Sequence, residues 1–203
     1  GCRISGAHLA DLLRHRWYDG QKTDTAGNVD EERSVTIKCQ VGELSATKVV
    51  TVKPVVDVVD TITLAKLGLS NIGTVYTNFS GKKDVSEAAY TGRCAGKDDT
   101  IQLRTKTDGG CSGIVSATSG GALASVTVAF NNQTTGTKGV QIYASDKAFT
   151  VDDMFSGLMT PVKQITASDT NKTFEFSGDF AYIGIRSIDG ACYLDNFSVT
   201  WQA

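Results

Sequence analysis

Twenty residues near the C-terminal end constrain the fold more than any other stretch: Tyr182-Ile-Gly-Ile-Arg-Ser-Ile-Asp-Gly-Ala-Cys-Tyr-Leu-Asp-Asn-Phe-Ser-Val-Thr-Trp201. They read as two strands on either side of a turn at Asp189-Gly190. In the second strand Phe197, Val199 and Trp201 alternate with Ser198 and Thr200, the period-2 pattern of a strand with one face buried. A strand of this kind needs an apolar surface opposite it. The chain is therefore expected to close a β-sandwich close to its end.

Composition enters here as support. Twenty-one glycines, two prolines and abundant Thr, Ser and Val in 203 residues suit an all-β chain with many tight turns. A formal charge of −2 argues against a nucleic-acid partner, whose phosphate backbone calls for a basic surface. No apolar run reaches the ~18 residues of a membrane-spanning helix. The five cysteines, Cys2, Cys39, Cys94, Cys111 and Cys192, form no CxxC pair, which leaves zinc ribbons and thioredoxin-like motifs without support. One reading makes Cys2 a lipid anchor at the start of a bacterial lipoprotein; the other leaves all five as ordinary small apolar residues. Should a disulfide exist, Cys111–Cys192 is the first choice, because each follows an arginine-bearing strand and sits beside a glycine-containing turn.

Two regions follow from the texture of the chain. Residues 1–57 are a short N-terminal region. In it, residues 7–18 suggest a short helix with Leu9, Leu12, Leu13 and Trp17 on one side, and residues 34–40 and 46–53 suggest a hairpin around Gly42-Glu43. Pro54, which cannot donate to a ladder, marks a linker over residues 53–60. Residues 58–203 carry eleven short strand-like runs, at 62–64, 75–79, 88–90, 100–107, 113–117, 125–130, 140–144, 162–166, 173–177, 181–187 and 193–201. Their hairpin spacing predicts an antiparallel two-sheet jelly-roll sandwich. Residues 152–156 suggest one helical turn behind Thr150.

Several ordered motifs carry a family resemblance: Gly73-Thr-Val-Tyr-Thr-Asn-Phe-Ser-Gly81, Ile101-Gln-Leu-Arg-Thr105, Ser112-Gly-Ile-Val-Ser-Ala-Thr-Ser-Gly-Gly121, Val140-Gln-Ile-Tyr-Ala-Ser-Asp146 and Tyr193-Leu-Asp-Asn196. Together they resemble the galactose-binding-like jelly-roll domains at the C-termini of secreted and surface proteins of gut Bacteroidetes. The hairpin of the N-terminal region is similar to the end of a bacterial immunoglobulin-like module. The resemblance implies an exported, cell-surface or secreted protein whose function is a non-catalytic carbohydrate-binding or accessory one. A structural or adhesive surface protein is the alternative. The Asp-Thr-Ala and Asp-Thr-Ile triplets at Thr25, Thr61 and Thr100 are similar to O-glycosylation motifs of exported Bacteroidetes proteins.

Two constellations carry chemistry. If Ile101, Leu103, Ile183 and Ile185 face the core, alternation puts Gln102, Arg104 and Arg186 on the opposite face. There two guanidinium forks beside Tyr143 and Tyr182 would grip a glycan's hydroxyls or carboxylate. The competing expectation is that the arginines pair with Asp108 and Asp189 or tie down loops. The second constellation is Asp195 with Asp60 and Thr61, placed by the resemblance where such sandwiches hold a structural calcium ion between first and last strands. Calcium takes six to eight oxygens, and the remaining ligands are not legible.

Catalysis finds little. His8 and His15 lie outside the sandwich, so a Ser-His-Asp or Cys-His site there has no base. His8, Asp11 and His15 would share a face only if residues 7–18 were helical. Glu87, Asp84, Asp99, Asp152 and Glu175 supply carboxylates for a glycoside hydrolase, yet no spacing singles out a pair.

Overall fold

In the computed structural model, residues 2–4, 13–18, 21–26, 31–41, 43–70, 73, 75–107 and 109–202 are described; residues 2–4, 13–18, 21–26, 38–41, 44 and 45 are described by their backbone. The chain forms two compact units, Gly1–Val56 and Asp57–Ala203. Among the described residues every ladder is antiparallel. The protein is all-β, and its larger unit is sandwich-like.

The smaller unit holds β1 (Cys2–Ile4), β2 (Leu13–Tyr18), β3 (Gln21–Ala26), β4 (Arg33–Val41) and β5 (Leu44–Val52). β4 and β5 are the expected hairpin, and β1 adds to the other edge of β4. The helix expected over residues 7–18 is corrected where the chain is described. Residues 13–18 are a strand, paired with β3 from Leu13 opposite Ala26 to Tyr18 opposite Gln21. The sequence between them, Asp19-Gly20, is a two-residue hairpin signal, and it outweighs the leucine spacing. His8 and Asp11 lie outside the described residues, and His15 sits on β2 opposite Asp24.

The larger unit begins at β6 (Asp57–Ile62), so residues 57–60 belong to a strand and not to a linker. It continues through β7 (Thr77–Lys82), β8 (Tyr90–Lys97), β9 (Thr100–Leu103), β10 (Lys106–Thr107), β11 (Gly110–Cys111) and β12 (Gly113–Ser116). Then come β13 (Ala122–Phe130), β14 (Gly139–Ser145), β15 (Lys163–Thr166), β16 (Thr173–Glu175), β17 (Tyr182–Ser187) and β18 (Cys192–Gln202). One sheet orders its strands β15-β14-β17-β12-β8, with β7 also on β8; the other runs β9-β18-β13-β16, with β6 on β18. β8 serves both sheets. Its first half pairs with β12 and β7, and its second half pairs with β9. β17 and β18 do not pair with one another, so the Asp189-Gly190 segment crosses between sheets and is no hairpin turn.

The core fills the space between the sheets. β18 contributes Cys192, Leu194, Phe197, Val199 and Trp201, all buried. The alternation breaks between Leu194 and Phe197, where the register with β13 shifts. One extra residue there is a bulge, and it turns Asp195 out to solvent, where the Asn131 amide donates to its Oδ1 at 2.7 Å.

Asp60 of β6 is fully buried. It accepts from the Ser86 backbone N–H (2.7 Å) and hydroxyl (2.5 Å), the Tyr90 phenol (2.8 Å) and the Trp201 indole N–H (3.0 Å). An isolated carboxylate would be expelled from such an interior; four donors make it tolerable. Burial, followed by the charge and hydrogen bond of Asp60, pushes the Tyr90 phenol far above its ordinary value, so it remains a donor.

Cys94, Cys111 and Cys192 are free thiols, as the reading without bridges expects of them, and no bridge joins Cys111 to Cys192. Burial pushes Cys94 and Cys192 up to about 12 each. Because the thiolate is the reactive species, native protein at mildly alkaline pH is expected to alkylate at Cys111 while Cys94 and Cys192 stay protected until unfolding. Peptide mapping after a timed alkylation checks this; modification of Cys94 or Cys192 as fast as Cys111 would contradict the burial.

Candidate functional site

The outer face of the β8-containing sheet carries an open groove of about 780 Å³. One wall is built on strands. β7 supplies Asn78 and Ser80, and β8 supplies Thr91 and Arg93; alternation sends these outward while Phe79, Tyr90 and Cys94 turn into the core. The Arg93 guanidinium donates from Nη1 to Asn78 Oδ1 (3.2 Å) and from Nε to Thr107 Oγ1 (3.3 Å). The hairpin of β10 and β11 lies over it. A Cβ on Gly109 would fall 2.1 Å from Arg93 Nη2, so a larger residue there would push the guanidinium aside.

The opposite wall is the segment 148–153. It begins with a tight polar turn, in which the Thr150 N–H and hydroxyl donate to Asp153 Oδ2 at 2.7 and 2.8 Å. Those two bonds hold the Asp153 carboxyl below the usual carboxylate range. The 3₁₀ turn Asp152–Met154 follows, as the sequence suggested. Its Met154 is buried in a small outer cluster with Val115 and Tyr143, against which Phe149, Val151 and Phe155 pack. Gly113 and Gly184 leave the room for it: a Cβ there would come within 2.9 Å of Met154 Cε and 2.7 Å of its Sδ. Cys111 and Asp152 both line the groove; burial first, then the hydrogen-bonding and charge of Asp152, push the Cys111 thiol up.

The residues expected to form one ligand face are divided between the two sheets. Arg186 and Tyr143 do share the outer face of this sheet, but beneath the 148–159 segment. Arg186 Nε donates to the Tyr143 hydroxyl at 2.9 Å, and its guanidinium lies 4.2 Å from the Phe155 ring centroid. Tyr143 is 1 % exposed and donates to Gln141 Oε1, so it offers no stacking surface. Both therefore pack against Phe155 and its neighbours and do not face the groove. Tyr182, at the start of β17 opposite Ser145, is half-buried and outside the groove. Gln102 belongs to β9 of the other sheet, is 2 % exposed and donates to the Tyr193 hydroxyl at 3.2 Å. Arg104 follows β9, is exposed, and its backbone N–H donates to Ser112 Oγ. Burial pushes the nearby Tyr76 phenol up to about 12, against the opposing charge of Arg104.

The calcium constellation also disperses. Asp60 pairs opposite Val199, four residues along β18 from Asp195, and its carboxylate is taken up by protein donors. Thr61 gives its N–H to Asp84 Oδ2 (2.8 Å) and its hydroxyl meets Ser198 Oγ (3.1 Å). Among the described residues, no three His, Cys, Asp or Glu side chains gather around a common point. Of the carboxylates Glu87, Asp84, Asp99, Asp152 and Glu175, only Asp152 lines the groove.

Arg93, Thr91 and Phe149 were not singled out by the sequence. The signal that points to Arg93 is Tyr90-Thr-Gly-Arg-Cys94, a short alternation interrupted by glycine. Asn78 is visible there only as part of an Asn-Phe-Ser triplet.

No protein-family model matches the chain, and no curated protein matches it. Among solved structures, the chain is similar to the CBM51-2 and INT domains of ZmpB from Clostridium perfringens, at 8 % identity and a TM-score of 0.31. That match covers 98 % of this chain and 44 % of the other, so the chain spans less than half the length of the protein it resembles.

Proposed function

We propose that the protein is a non-catalytic carbohydrate-binding module working outside the cell or at its surface, and that the groove between β7–β8 and residues 148–153 takes the glycan. The observation that carries this reading is the groove's lining. Apolar surface from Phe149 and Val151 faces polar groups from Asn78, Ser80, Thr91, Arg93 and Asp152, a mixture suited to the C–H faces and hydroxyls of a sugar. Asn78 and Thr107 fix the Arg93 guanidinium before any ligand arrives, which reduces the ordering cost of binding. A hydrolytic reading fits less well. Its two carboxyls should face each other across the sugar, whereas Asp152 and Asp153 are neighbours on one turn and the pKa of Asp153 is lowered, unlike that of a proton donor.

The test is a glycan panel screened with the wild-type chain beside Arg93→Ala and Ala148→Trp. Charge-assisted hydrogen bonds contribute about 1.5–3 kcal/mol, so Arg93→Ala should weaken binding about tenfold or more. Ala148 is exposed, so a tryptophan there should block the groove while leaving stability nearly unchanged. A panel without binders, or one in which Ala148→Trp binds like wild type, would overturn the reading.

A further inference from the structure

β1 meets β4 with Cys2 opposite Cys39, Arg3 opposite Lys38 and Ile4 opposite Ile37. On its other edge, β4 places Cys39 opposite Ala46 of β5. Residues directly opposed in an antiparallel ladder share a face of the sheet, with Cα atoms about 4.5 or 5.5 Å apart depending on the hydrogen-bonding position. Both spacings fall inside the roughly 4.4–6.8 Å window of bridged cysteines. The other three cysteines, Cys94, Cys111 and Cys192, are free thiols in the larger unit. The odd total of five therefore divides into one opposed pair and three singles.

We propose that Cys2 and Cys39 form a disulfide that ties β1 to β4. The oxidant is a small-molecule disulfide or a disulfide-bearing oxidoreductase. The thiolate of one cysteine attacks the oxidant's disulfide, giving a mixed disulfide and releasing one thiol. The second cysteine's thiolate then attacks the protein sulfur of that mixed disulfide, forming the Cys2–Cys39 bond and expelling the second thiol. Two protein thiols become one disulfide, and the oxidant is reduced to two thiols. A thioether lipid on Cys2 would use the same sulfur, so anchor and bridge exclude each other.

The test equilibrates the full chain in a buffer of oxidised and reduced glutathione, unfolds it with N-ethylmaleimide present, and reads intact mass and peptide maps. Three adducts are expected, with the peptides of Cys2 and Cys39 linked and the mass lower by two hydrogens. Cys2→Ser and Cys39→Ser should each show no link, the remaining cysteine of the pair carrying N-ethylmaleimide or glutathione. Five adducts in the wild-type chain, a link between any other cysteines, glutathione retained on Cys2 or Cys39 of the wild-type chain, a lipid on Cys2, or a cysteine–cysteine link in either variant would overturn the proposal.

Discussion

Replacing Asp60 by alanine should cost about 3–5 kcal/mol of stability, because the truncation strands buried donors that have no water to turn to. Four hydrogen bonds converge on this carboxylate, from Ser86 twice, Tyr90 and Trp201. They join β6 to the start of β8, the far end of β18 and the 83–89 connection, so one side chain fastens both sheets. Against a typical total of about 5–15 kcal/mol, such a loss brings the larger unit close to unfolding under ordinary conditions. Asp60→Asn keeps the volume and one acceptor oxygen, and it should lose less, since only part of the donor set is left unmatched. Denaturant titration of both variants reads the difference as a fall in midpoint at unchanged slope. A loss below about 1 kcal/mol in Asp60→Ala would mean that water or a side-chain shift restores the donors, against the burial described.

Met154→Ala should be the second large effect, at about 2–5 kcal/mol, the usual cost of emptying a filled apolar site. Met154 is 1 % exposed and rests on Val115 and Tyr143 over the gap left by Gly113 and Gly184. It is what holds residues 148–153 on the sheet, so the variant should also lose glycan affinity, although no residue of the groove lining has been altered. Gly184→Val should displace the same wall from below, because its Cβ would lie 2.7 Å from both Met154 Sδ and the Phe149 ring. Met154→Leu keeps volume and apolarity and should stay within about 1.5 kcal/mol of wild type. Thermal melts paired with binding measurements separate these outcomes. Undiminished binding by folded Met154→Ala would detach the wall from Met154.

The sequence made some of this legible and hid the rest for physical reasons. The alternation of Phe197, Val199 and Trp201 describes β18 well because those residues pack on the opposing sheet, and the Arg33–Val52 hairpin was visible for its apolar strands. β8 was nearly invisible. Its Tyr-Thr-Gly-Arg-Cys-Ala-Gly-Lys carries two glycines and no Val, Ile or Leu, yet glycine is needed: a Cβ on Gly92 would lie 2.1 Å from the Gly113 carbonyl oxygen on β12. Since β8 carries Arg93, missing the strand meant missing the groove. Arg104 falls outside the alternation because the strand ends at Leu103. Asp60 stands out in the sequence at a strand's start, but its donors lie 26, 30 and 141 residues away, and no local pattern reports them. Cys2 and Cys39 likewise meet only through the register of β1 on β4.

The groove itself is tested most directly by titrating isotope-labelled full chain with the best oligosaccharide from the panel and following backbone amide resonances. Shifts are expected to cluster at Asn78, Ser80, Thr91, Arg93, Gly109–Cys111 and Ala148–Asp153, the residues lining the groove. They should saturate together along one binding curve. Shifts confined instead to the opposite sheet, around Gln102, Arg104 and Tyr193, or no saturable shifts at all, would contradict the account.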